Sequence, residues 1–481
     1  MVETNPEAPV TKTNLEELIA AYGGPMKLLR NAKHRPEQLA PYSSAFYPVG
    51  PAKPEEFSDW ATEQKAWHET AVLFDLNHHM TEIAIRGRDA RKLVSSLAIN
   101  SPDNFHAGRA SQMALCNAEG SSITDGILYS LENDEFNFVG PNIAVDWIEF
   151  QGTTGGFDVE LARDERSPGY ADGRAFNRRH YRYQIQGPSA VKVIEKLTGR
   201  PFPDVKFFHY APIQIGGITT TALRHGMVGA AGLELFGPFE QREEVRNAII
   251  EAGREFGLSL VGTRAYFTNP LESGWLPVLV PAIYSSESTR AFRKWMPATH
   301  PDALFSLEGS YYSEHIEDYY VTPFMLGYHR IIKFDHDFIG SDALKQMDAS
   351  GSRKKVTLAW NGEDVAQVFA AMLTRGDDTV KTLDLPVVGR VLLTDRSADA
   401  VLRDGKLVGV SFLSGYISTE RTILSLAIVD NDVEVGDELV LLWGEAGGHN
   451  DTPVKPTKLF EIRATVTPTP YSDYAREHYR G

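Results

Sequence analysis

Residues 262–275 read GTRAYFTNPLESGW, and an earlier glycine-rich stretch, residues 224–238, reads RHGMVGAAGLELFGP. Each stretch combines closely spaced glycines with an acidic residue. This composition favours a packed ligand site over a surface loop. In the earlier stretch Glu234 lies between two leucines on a predicted short strand. An ionised carboxylate in such surroundings is costly unless several N–H donors pair with it.

A planar heterocycle that carries an amino group and a ring N–H, such as a pterin, would supply two such donors side by side. The other stretch adds the phenol of Tyr266, the acid Glu272 and the ring of Trp275, which offers a stacking surface. The alternative is that Glu234 is a satisfied core glutamate and that Trp275 is an ordinary core side chain.

The composition restricts the class of protein. A chain of 481 residues has room for two or three domains with sizeable cores. The net charge of −16 argues against a general binder of nucleic acid or of anionic membranes. The first residues, MVETNPEAPVTKTN, show no export signal, and no apolar run is long enough to span a bilayer. We therefore expect a cytoplasmic protein with no membrane partner.

The cysteine and histidine content limits metal chemistry. Cys116 is the only cysteine, so an intrachain disulfide and a Rieske centre are both excluded, and a core position is expected for it. His78 and His79 follow an apolar run, but no third ligand stands at a fixed spacing. We expect no metal site. For His79 a substrate-side polar group, a structural residue and a metal ligand all stay open.

Periodicity predicts a mixed α+β chain with a separate C-terminal part. Helices are predicted over Leu15–Tyr22 and over residues 190–197, which Gly199 ends. Strand pairs are predicted around the glycine turns of residues 117–141. On the strand that begins at Tyr183, Gln184 points away from Ile185. After Lys355 short alternating strands between glycine and aspartate turns indicate a β-barrel or jelly-roll-like domain.

Together the two opening stretches resemble the folate-binding core of the glycine-cleavage aminomethyltransferase (T-protein) family. That family has a glycine-rich turn leading into a Gly-x-Glu strand, then a glycine-, arginine- and acid-rich pattern. Its second pattern is matched here by Gly262, Arg264, Ala265, Glu272 and Gly274. The Gln-Gly-Pro-x-Ala run of residues 186–190 is a further marker of the family. The resemblance extends over about residues 55–470.

The resemblance implies a T-protein-like multidomain α+β fold. An N-terminal extension, residues 1–54, would precede two mixed α/β folate-binding parts, residues 55–180 and 181–350, and a C-terminal β domain would follow at residues 355–475. Tyr266 stands where most of the family has an aspartate. In this respect the chain resembles the tetrahydrofolate-dependent aryl-methyl-ether O-demethylases, the vanillate and syringate enzymes.

The resemblance also implies roles for single residues. Tetrahydrofolate would be the methyl acceptor. Glu234 would hold the pterin edge, Trp275 would stack on it, and Gln184 and the backbone near Val139 would complete the contacts. Asp125 and His79 would orient the substrate or the N5 side of the folate, and Tyr47 is a weaker substrate-side candidate. The products would be a phenol and 5-methyltetrahydrofolate.

The chemistry of the leaving group agrees with tyrosine at position 266. Phenolate leaves poorly, so the departing ether oxygen needs a proton or a strong hydrogen bond. A phenol carries a proton at working pH, whereas an ionised aspartate has none to donate. Tyr266 is therefore the expected proton donor, and the alternative is that it only packs.

The identity of the substrate stays open at this point. Vanillate, syringate, 3-O-methylgallate and a chlorinated methoxybenzoate such as dicamba are candidates. Pro141 stands where, by resemblance, the vanillate demethylases have an arginine for the substrate carboxylate. Other possibilities are a T-protein-like aminomethyltransferase, an S- or N-methyl demethylase, and a non-catalytic folate-binding protein. The oligomeric state is open as well.

Overall fold

The computed structural model describes residues 14–30, 55–77, 80–164, 178–347, 353–376, 378–388, 395–446 and 456–478. Two of the candidate site residues, Tyr47 and His79, lie outside these ranges. The described residues form two open sheets and a β-barrel, together with helices that cover them. In this part of the chain no helix combines the length and the apolar character that crossing a bilayer requires.

The first sheet has five antiparallel strands in the order β3-β4-β5-β2-β6. The elements of this region are α1 (Leu15–Tyr22), α2 (Pro25–Arg30), α3 (Trp60–Glu69), β1 (Ala71–Asp75), β2 (Thr81–Arg86), α4 (Ala90–Leu97), β3 (Arg109–Cys116), β4 (Ser122–Ser130), β5 (Phe136–Gly140), α5 (Asn142–Thr154) and β6 (Glu160–Asp164). The predicted strand pairs around the glycine turns are confirmed as β3, β4 and β5. Cys116 is fully buried, as expected.

Helix α1 has the predicted bounds, and its caps explain them. The side chain of Asn14 accepts a hydrogen bond from the Glu17 amide at the start, and Gly23 adopts a left-handed conformation at the end. The apolar face of the helix, including Leu15 and Leu18, is buried in the same core as the first sheet. The described part of the N-terminal extension therefore belongs to the core.

The second sheet has six strands in the order β11-β1-β7-β10-β9-β8. Its elements are β7 (His180–Gln186), α6 (Ala190–Thr198), β8 (Tyr210–Ile215), β9 (Ile218–Leu223), β10 (Gly232–Pro238), α7 (Arg242–Gly253) and β11 (Leu258–Leu260). Helices α6 and α7 pack against the face that carries Ile185, Leu233 and Leu235. Because side chains alternate along a strand, Arg182, Gln184 and Glu234 point to the other face.

A long connection then leads from the second sheet to the barrel. It contains α8 (Thr263–Tyr266), α9 (Asn269–Ser273), α10 (Arg290–Trp295), α11 (Pro301–Leu304), β12 (Ser306–Glu308) and α12 (Ser341–Gln346). Its last part returns to the first sheet, where the amide of Ile339 donates to the Ser96 carbonyl and Cys116 Sγ donates to the Ile339 carbonyl. This connection therefore packs against both sheets.

The C-terminal part forms a closed barrel. Its elements are β13 (Arg353–Trp360), α13 (Gly362–Met372), β14 (Val387–Val388), β15 (Asp395–Ser397), β16 (Asp399–Arg403), β17 (Lys406–Ile417), β18 (Thr422–Asp430), β19 (Glu438–Trp443), β20 (Phe460–Thr467) and α14 (Asp473–His478). The strand order β17-β16-β19-β20-β13-β18 closes on itself because β18 also pairs with β17. Of the two predicted architectures the barrel is thus the one observed.

The barrel packs against the rest of the chain through its outer surface. Leu426 and Ile428 of β18 belong to the same core as Ile83 and Leu128 of the first sheet. Strand β1, although it precedes the first sheet in sequence, pairs with β7 of the second. The exact domain boundaries stay a prediction.

Close pairing of β10 with β7 predicts that Gly232→Ala destabilises the fold. A Cβ atom at this position would lie 1.9 Å from the carbonyl oxygen of Ile185, so the backbone has to move apart. Overpacking of this kind typically costs about 1–3 kcal/mol. The free energy of unfolding from urea denaturation is the measurement.

Gly362→Ala is the matched control, because Gly362 is the first residue of α13 and a Cβ there meets nothing within 4 Å. Alanine at a helical position that tolerates it is expected to be neutral or slightly stabilising. Equal losses in the two variants would contradict the packing argument.

Candidate active site

A cavity of about 400 Å³ lies where the two sheets, the long connection and the barrel meet. Its wall contains residues from every one of these parts, among them Val139 of β5, Glu234 of β10 and Lys355 of β13. Most of the cavity surface is apolar. The predicted site residues that line it are Asp125, Val139, Glu234, Tyr266 and Trp275.

Glu234 is held by a buried cluster of charges. Its Oε1 atom accepts hydrogen bonds from Arg182 Nη1 at 2.8 Å and from the Tyr129 hydroxyl at 3.0 Å. The same guanidinium donates from Nε to Glu82 Oε1 at 2.6 Å. Arg182 and Glu234 belong to the second sheet, whereas Tyr129 and Glu82 belong to the first. One arginine therefore joins the two sheets at the cavity wall.

Strong pairing keeps Glu82 charged although it is buried. Burial alone raises the pKa of the Glu82 carboxyl, but Arg182 and His180 outweigh that effect and hold the pKa well below its usual range. His180 Nδ1 lies 2.9 Å from Glu82 Oε2, and Asn137 Nδ2 donates to the same oxygen at 3.1 Å. Glu82 is thus ionised, and both of its carboxylate oxygens have hydrogen-bond partners.

Asp125 is the centre of a second polar group on the wall. Its Oδ2 atom accepts hydrogen bonds from the Tyr328 hydroxyl at 2.5 Å, from Gln112 Nε2 at 2.6 Å and from Trp275 Nε1 at 3.1 Å. Burial raises the pKa of the Asp125 carboxyl and outweighs the three hydrogen bonds, which lower this pKa. These contacts fix the carboxyl group and the tryptophan ring together.

The turn at the end of α9 presents Trp275 to the cavity. Gly274 ends this helix at φ +66°, and a Cβ atom there would lie 2.5 Å from Thr469 Cγ2. Glu272, one turn earlier, is buried and accepts hydrogen bonds from Trp67 Nε1 and His68 Nε2 outside the cavity. Within this stretch Trp275 therefore faces the cavity, while Glu272 fastens α9 to α3.

Tyr266 approaches the cavity from another wall. It is the last residue of α8, is half-buried, and packs edge-on against Phe74 with ring centroids 5.9 Å apart. Met227 and Trp67 belong to the same apolar cluster. The phenol thus enters the cavity from the side of the second sheet.

Several buried polar atoms near Glu234 have no hydrogen-bond partner among the described residues. They are Arg182 Nη2, Gln184 Oε1 and His225 Nδ1. Burial lowers the pKa of the His225 imidazole, so this ring is neutral at neutral pH. Unsatisfied buried groups are rare in native proteins and often mark a ligand. A pterin, whose edge carries donors and acceptors next to each other, fits this set together with the carboxylate of Glu234.

Gln184 lies behind the cavity surface. It pairs with Glu234 across β7 and β10, and its Nε2 atom donates to the carbonyl of His225 at 2.8 Å. His225 itself lines the cavity. The structure therefore brings Gln184 into the site together with the five lining residues, whereas Tyr47 and His79 lie outside the described residues.

Sequence analysis missed Arg182, His225 and Lys355. A signal existed for Arg182, because the alternation that turns Gln184 away from Ile185 also places Arg182 on the same face. His225 stands in the quoted stretch without any pattern of its own. Lys355 is one of three consecutive basic residues, and their sequence does not distinguish it. No metal-binding group of acids, histidines and cysteines occurs among the described residues.

Comparison with known proteins identifies relatives over most of the chain. Residues 34–279 match the model of the GCVT N-terminal domain. Syringate O-demethylase from Sphingobium sp. is 42% identical over 97% of both chains. Sesamin methylene transferase from Sinomonas sp. is 30% identical over 88% of this chain and 91% of its own. Aminomethyltransferase from Thermoanaerobacter pseudethanolicus is 28% identical over 64% of this chain and 72% of its own.

A solved structure shows the same fold at lower identity. The glycine cleavage system aminomethyltransferase T from Bartonella henselae superposes with a TM-score of 0.54 and is 18% identical in sequence. The match covers 89% of this chain and 91% of the other. It confirms the predicted multidomain α+β architecture.

The charge cluster predicts that Arg182→Met is strongly destabilising at neutral pH. The substitution removes the cation that joins Glu82 to Glu234 and leaves both carboxyl groups buried without it. Breaking a buried pair typically costs about 3–5 kcal/mol. The pKa of Glu82 is lowered in the folded protein, so its stabilisation is present above the unfolded carboxyl range and is lost as pH falls. The deficit of the variant is therefore largest at neutral pH and shrinks on acidification.

Urea unfolding of both proteins from pH 4 to pH 8 measures this difference. Arg290→Met is the control, since Arg290 is half-exposed and pairs with Glu16 and Glu287 at the surface. Its loss of stability is expected to be much smaller. A deficit for Arg182→Met that does not change with pH would rule out the electrostatic explanation.

Proposed function

The chain belongs to the glycine-cleavage T-protein (aminomethyltransferase) family, and we propose that it demethylates a methoxybenzoate by moving the ether methyl group to N5 of tetrahydrofolate. As a member of this family it is an enzyme, a tetrahydrofolate-dependent methyltransferase. The observation that carries the choice of reaction is the phenol of Tyr266 on the wall of a cavity that also contains Glu234, Asp125 and Trp275.

The identity of the ring is the finer part of this proposal. The relative that is 42% identical over nearly the whole chain is named for syringate, which supports syringate as the first candidate. Vanillate, 3-O-methylgallate and chlorinated methoxybenzoates such as dicamba stay in the set to be tested. The products would be a phenol and 5-methyltetrahydrofolate, formed in equal amounts. A cytoplasmic location belongs to the same proposal.

The residues near Glu234 would hold the pterin of tetrahydrofolate. Arg182 and Tyr129 hold the Glu234 carboxylate in place through their hydrogen bonds to it. The carboxylate can in addition accept hydrogen bonds from the pterin edge. His225 lines the cavity with its Nδ1 atom unpartnered in the described residues, and Gln184 would support this edge from behind through its hydrogen bond to the His225 carbonyl. The ring of Trp275 and the backbone near Val139 would cover its faces. When bound, tetrahydrofolate supplies the N5 amine, which accepts the methyl group and releases a proton.

Tyr266 would supply the proton that the departing oxygen needs. In the reaction the methyl–oxygen bond breaks, and the ether oxygen takes the proton of the Tyr266 phenol. The proton released at N5 then restores the phenol. General acid catalysis of this kind is typically worth about 10²–10⁴ in rate. Asp125, whose carboxyl group accepts three hydrogen bonds, would orient the N5 side of tetrahydrofolate. His79 and Tyr47 are proposed to contact the substrate.

The decisive experiment is an incubation of the purified protein with tetrahydrofolate and a panel of methoxybenzoates. Liquid chromatography measures the phenol and 5-methyltetrahydrofolate in the same samples. We expect equal amounts of both, with one ring strongly preferred. Binding of folate without demethylation of any aryl ether would overturn the proposal and favour an aminomethyltransferase, an S- or N-methyl demethylase or a non-catalytic folate binder.

Tyr266→Phe is expected to lower kcat by about 10²–10⁴ while the dissociation constant for tetrahydrofolate changes little, because the substitution removes only the phenolic proton. Steady-state kinetics and calorimetric titration with tetrahydrofolate provide the two measurements.

Tyr416→Phe is the matched control. Tyr416 lies in the barrel, packs against Trp60 and is not among the described lining residues of the cavity. This variant should keep the wild-type kcat. If Tyr266→Phe retained full activity as well, Tyr266 would have only a packing role.

A further inference from the structure

The cavity wall contains three cationic side chains, Arg182, Lys355 and Arg396. Arg182 is paired with Glu82 and Glu234. Arg396 donates to Asp302 Oδ1 at 2.7 Å and to the Leu279 carbonyl at 2.5 Å. Lys355, in contrast, has no ion pair or hydrogen bond with any described residue. Among the described residues of the wall, Lys355 is therefore the cation that is available to pair with a ligand.

The barrel strand determines which way Lys355 points. Lys355 lies opposite Ile428 in the antiparallel pair of β13 and β18, and the side chain of Ile428 is buried in the core shared with the first sheet. Directly opposed residues share a face of a sheet, so Lys355 leaves the barrel on its outer side, toward the cavity. The adjacent Lys354 lies opposite Val429 of the barrel interior and donates to the Asn431 carbonyl at 2.9 Å.

The surroundings of Lys355 favour an anionic partner. The side chain is half-buried, and burial lowers the pKa of its ammonium group to about 8, with Asp125 acting in the opposite direction. A cation that has lost much of its water and makes no ion pair or hydrogen bond with the described residues gains more from a bound anion than a solvated one does. The other two cations of the wall are already neutralised.

Building on the proposed demethylation, we propose that Lys355 binds the carboxylate of the methoxybenzoate and thereby selects benzoates over uncharged methoxyarenes. A ring that is anchored there shares the cavity with Tyr266, which lines it from the cluster around Phe74. The carboxylate end and the ether end of the substrate are thus held by different parts of the chain, the barrel and the second-sheet region.

The test compares two substrates that share one ring, syringate and 2,6-dimethoxyphenol, which lacks the carboxylate. For Lys355→Met we expect kcat/KM for syringate to fall by about 10- to 100-fold, the usual value of one hydrogen bond between charged groups. The value for 2,6-dimethoxyphenol should stay within about twofold, since that ring makes no such contact. If the preferred benzoate is another, its decarboxylated counterpart takes the place of 2,6-dimethoxyphenol.

Calorimetric titration provides a readout that is independent of turnover. The dissociation constant for the benzoate should rise by a similar factor in Lys355→Met, and that for tetrahydrofolate should not change. Lys355→Arg, which keeps the charge, should restore part of the benzoate affinity. Lys354→Met is the matched control, because it removes a neighbouring charge on the other face of β13 and should leave both constants unchanged. Thermal unfolding confirms that each variant is folded.

Three outcomes would overturn the inference while leaving the proposed function in place, and they are distinguishable. Equal losses for both substrates would assign Lys355 to the chemical step, and weaker binding of tetrahydrofolate alone would assign it to the folate. An unchanged preference for the benzoate would remove Lys355 from substrate binding. If the wild-type protein demethylates no methoxybenzoate of the panel, the proposed function itself fails, and this inference fails with it.

Discussion

The architecture of the site depends on one buried arginine between two carboxylates. Arg182 extends from the second sheet, pairs with Glu82 of the first, and contacts Glu234 on its own sheet. Charges so well buried are costly unless they are paired, so the contact of Arg182 with Glu82 fixes the relative position of the two sheets. The same contact orients the carboxylate of Glu234 on the cavity wall. Stability and ligand binding therefore rest on one cluster.

The cavity requires all parts of the chain. The two sheets supply Glu234 and Asp125, the long connection supplies Tyr266 and Trp275, and the barrel supplies Lys355. Hydrogen bonds across these parts, such as that from Trp275 to Asp125, hold the wall in one arrangement. In the proposed reaction the groups that would contact tetrahydrofolate and the aromatic ring are thereby fixed before either binds, which lowers the entropic cost of bringing them together.

The polar groups that lack partners among the described residues support the proposed positions of the two ligands. On the side of Glu234 these are His225 Nδ1 and Gln184 Oε1, and on the side of the barrel the ammonium group of Lys355. The groups near Glu234 suit a heterocycle with donors along its edge, and the ammonium group of Lys355 suits an anion. In the proposed reaction the two ligands are therefore recognised by different chemistry, with Tyr266 on the wall of the same cavity.

The sequence alone determined the local elements and much of the site. Periodicity and turn residues predicted α1, the strand of Glu234 and the barrel strands, because these signals are contained in neighbouring residues. The motifs also singled out Glu234, Asp125, Tyr266 and Trp275, which all line the cavity. Only the tertiary structure decided that Arg182 joins two sheets, that Glu272 is structural, and that Lys355 and not Lys354 faces the cavity. Those outcomes depend on contacts between residues far apart in sequence, and no local pattern encodes them.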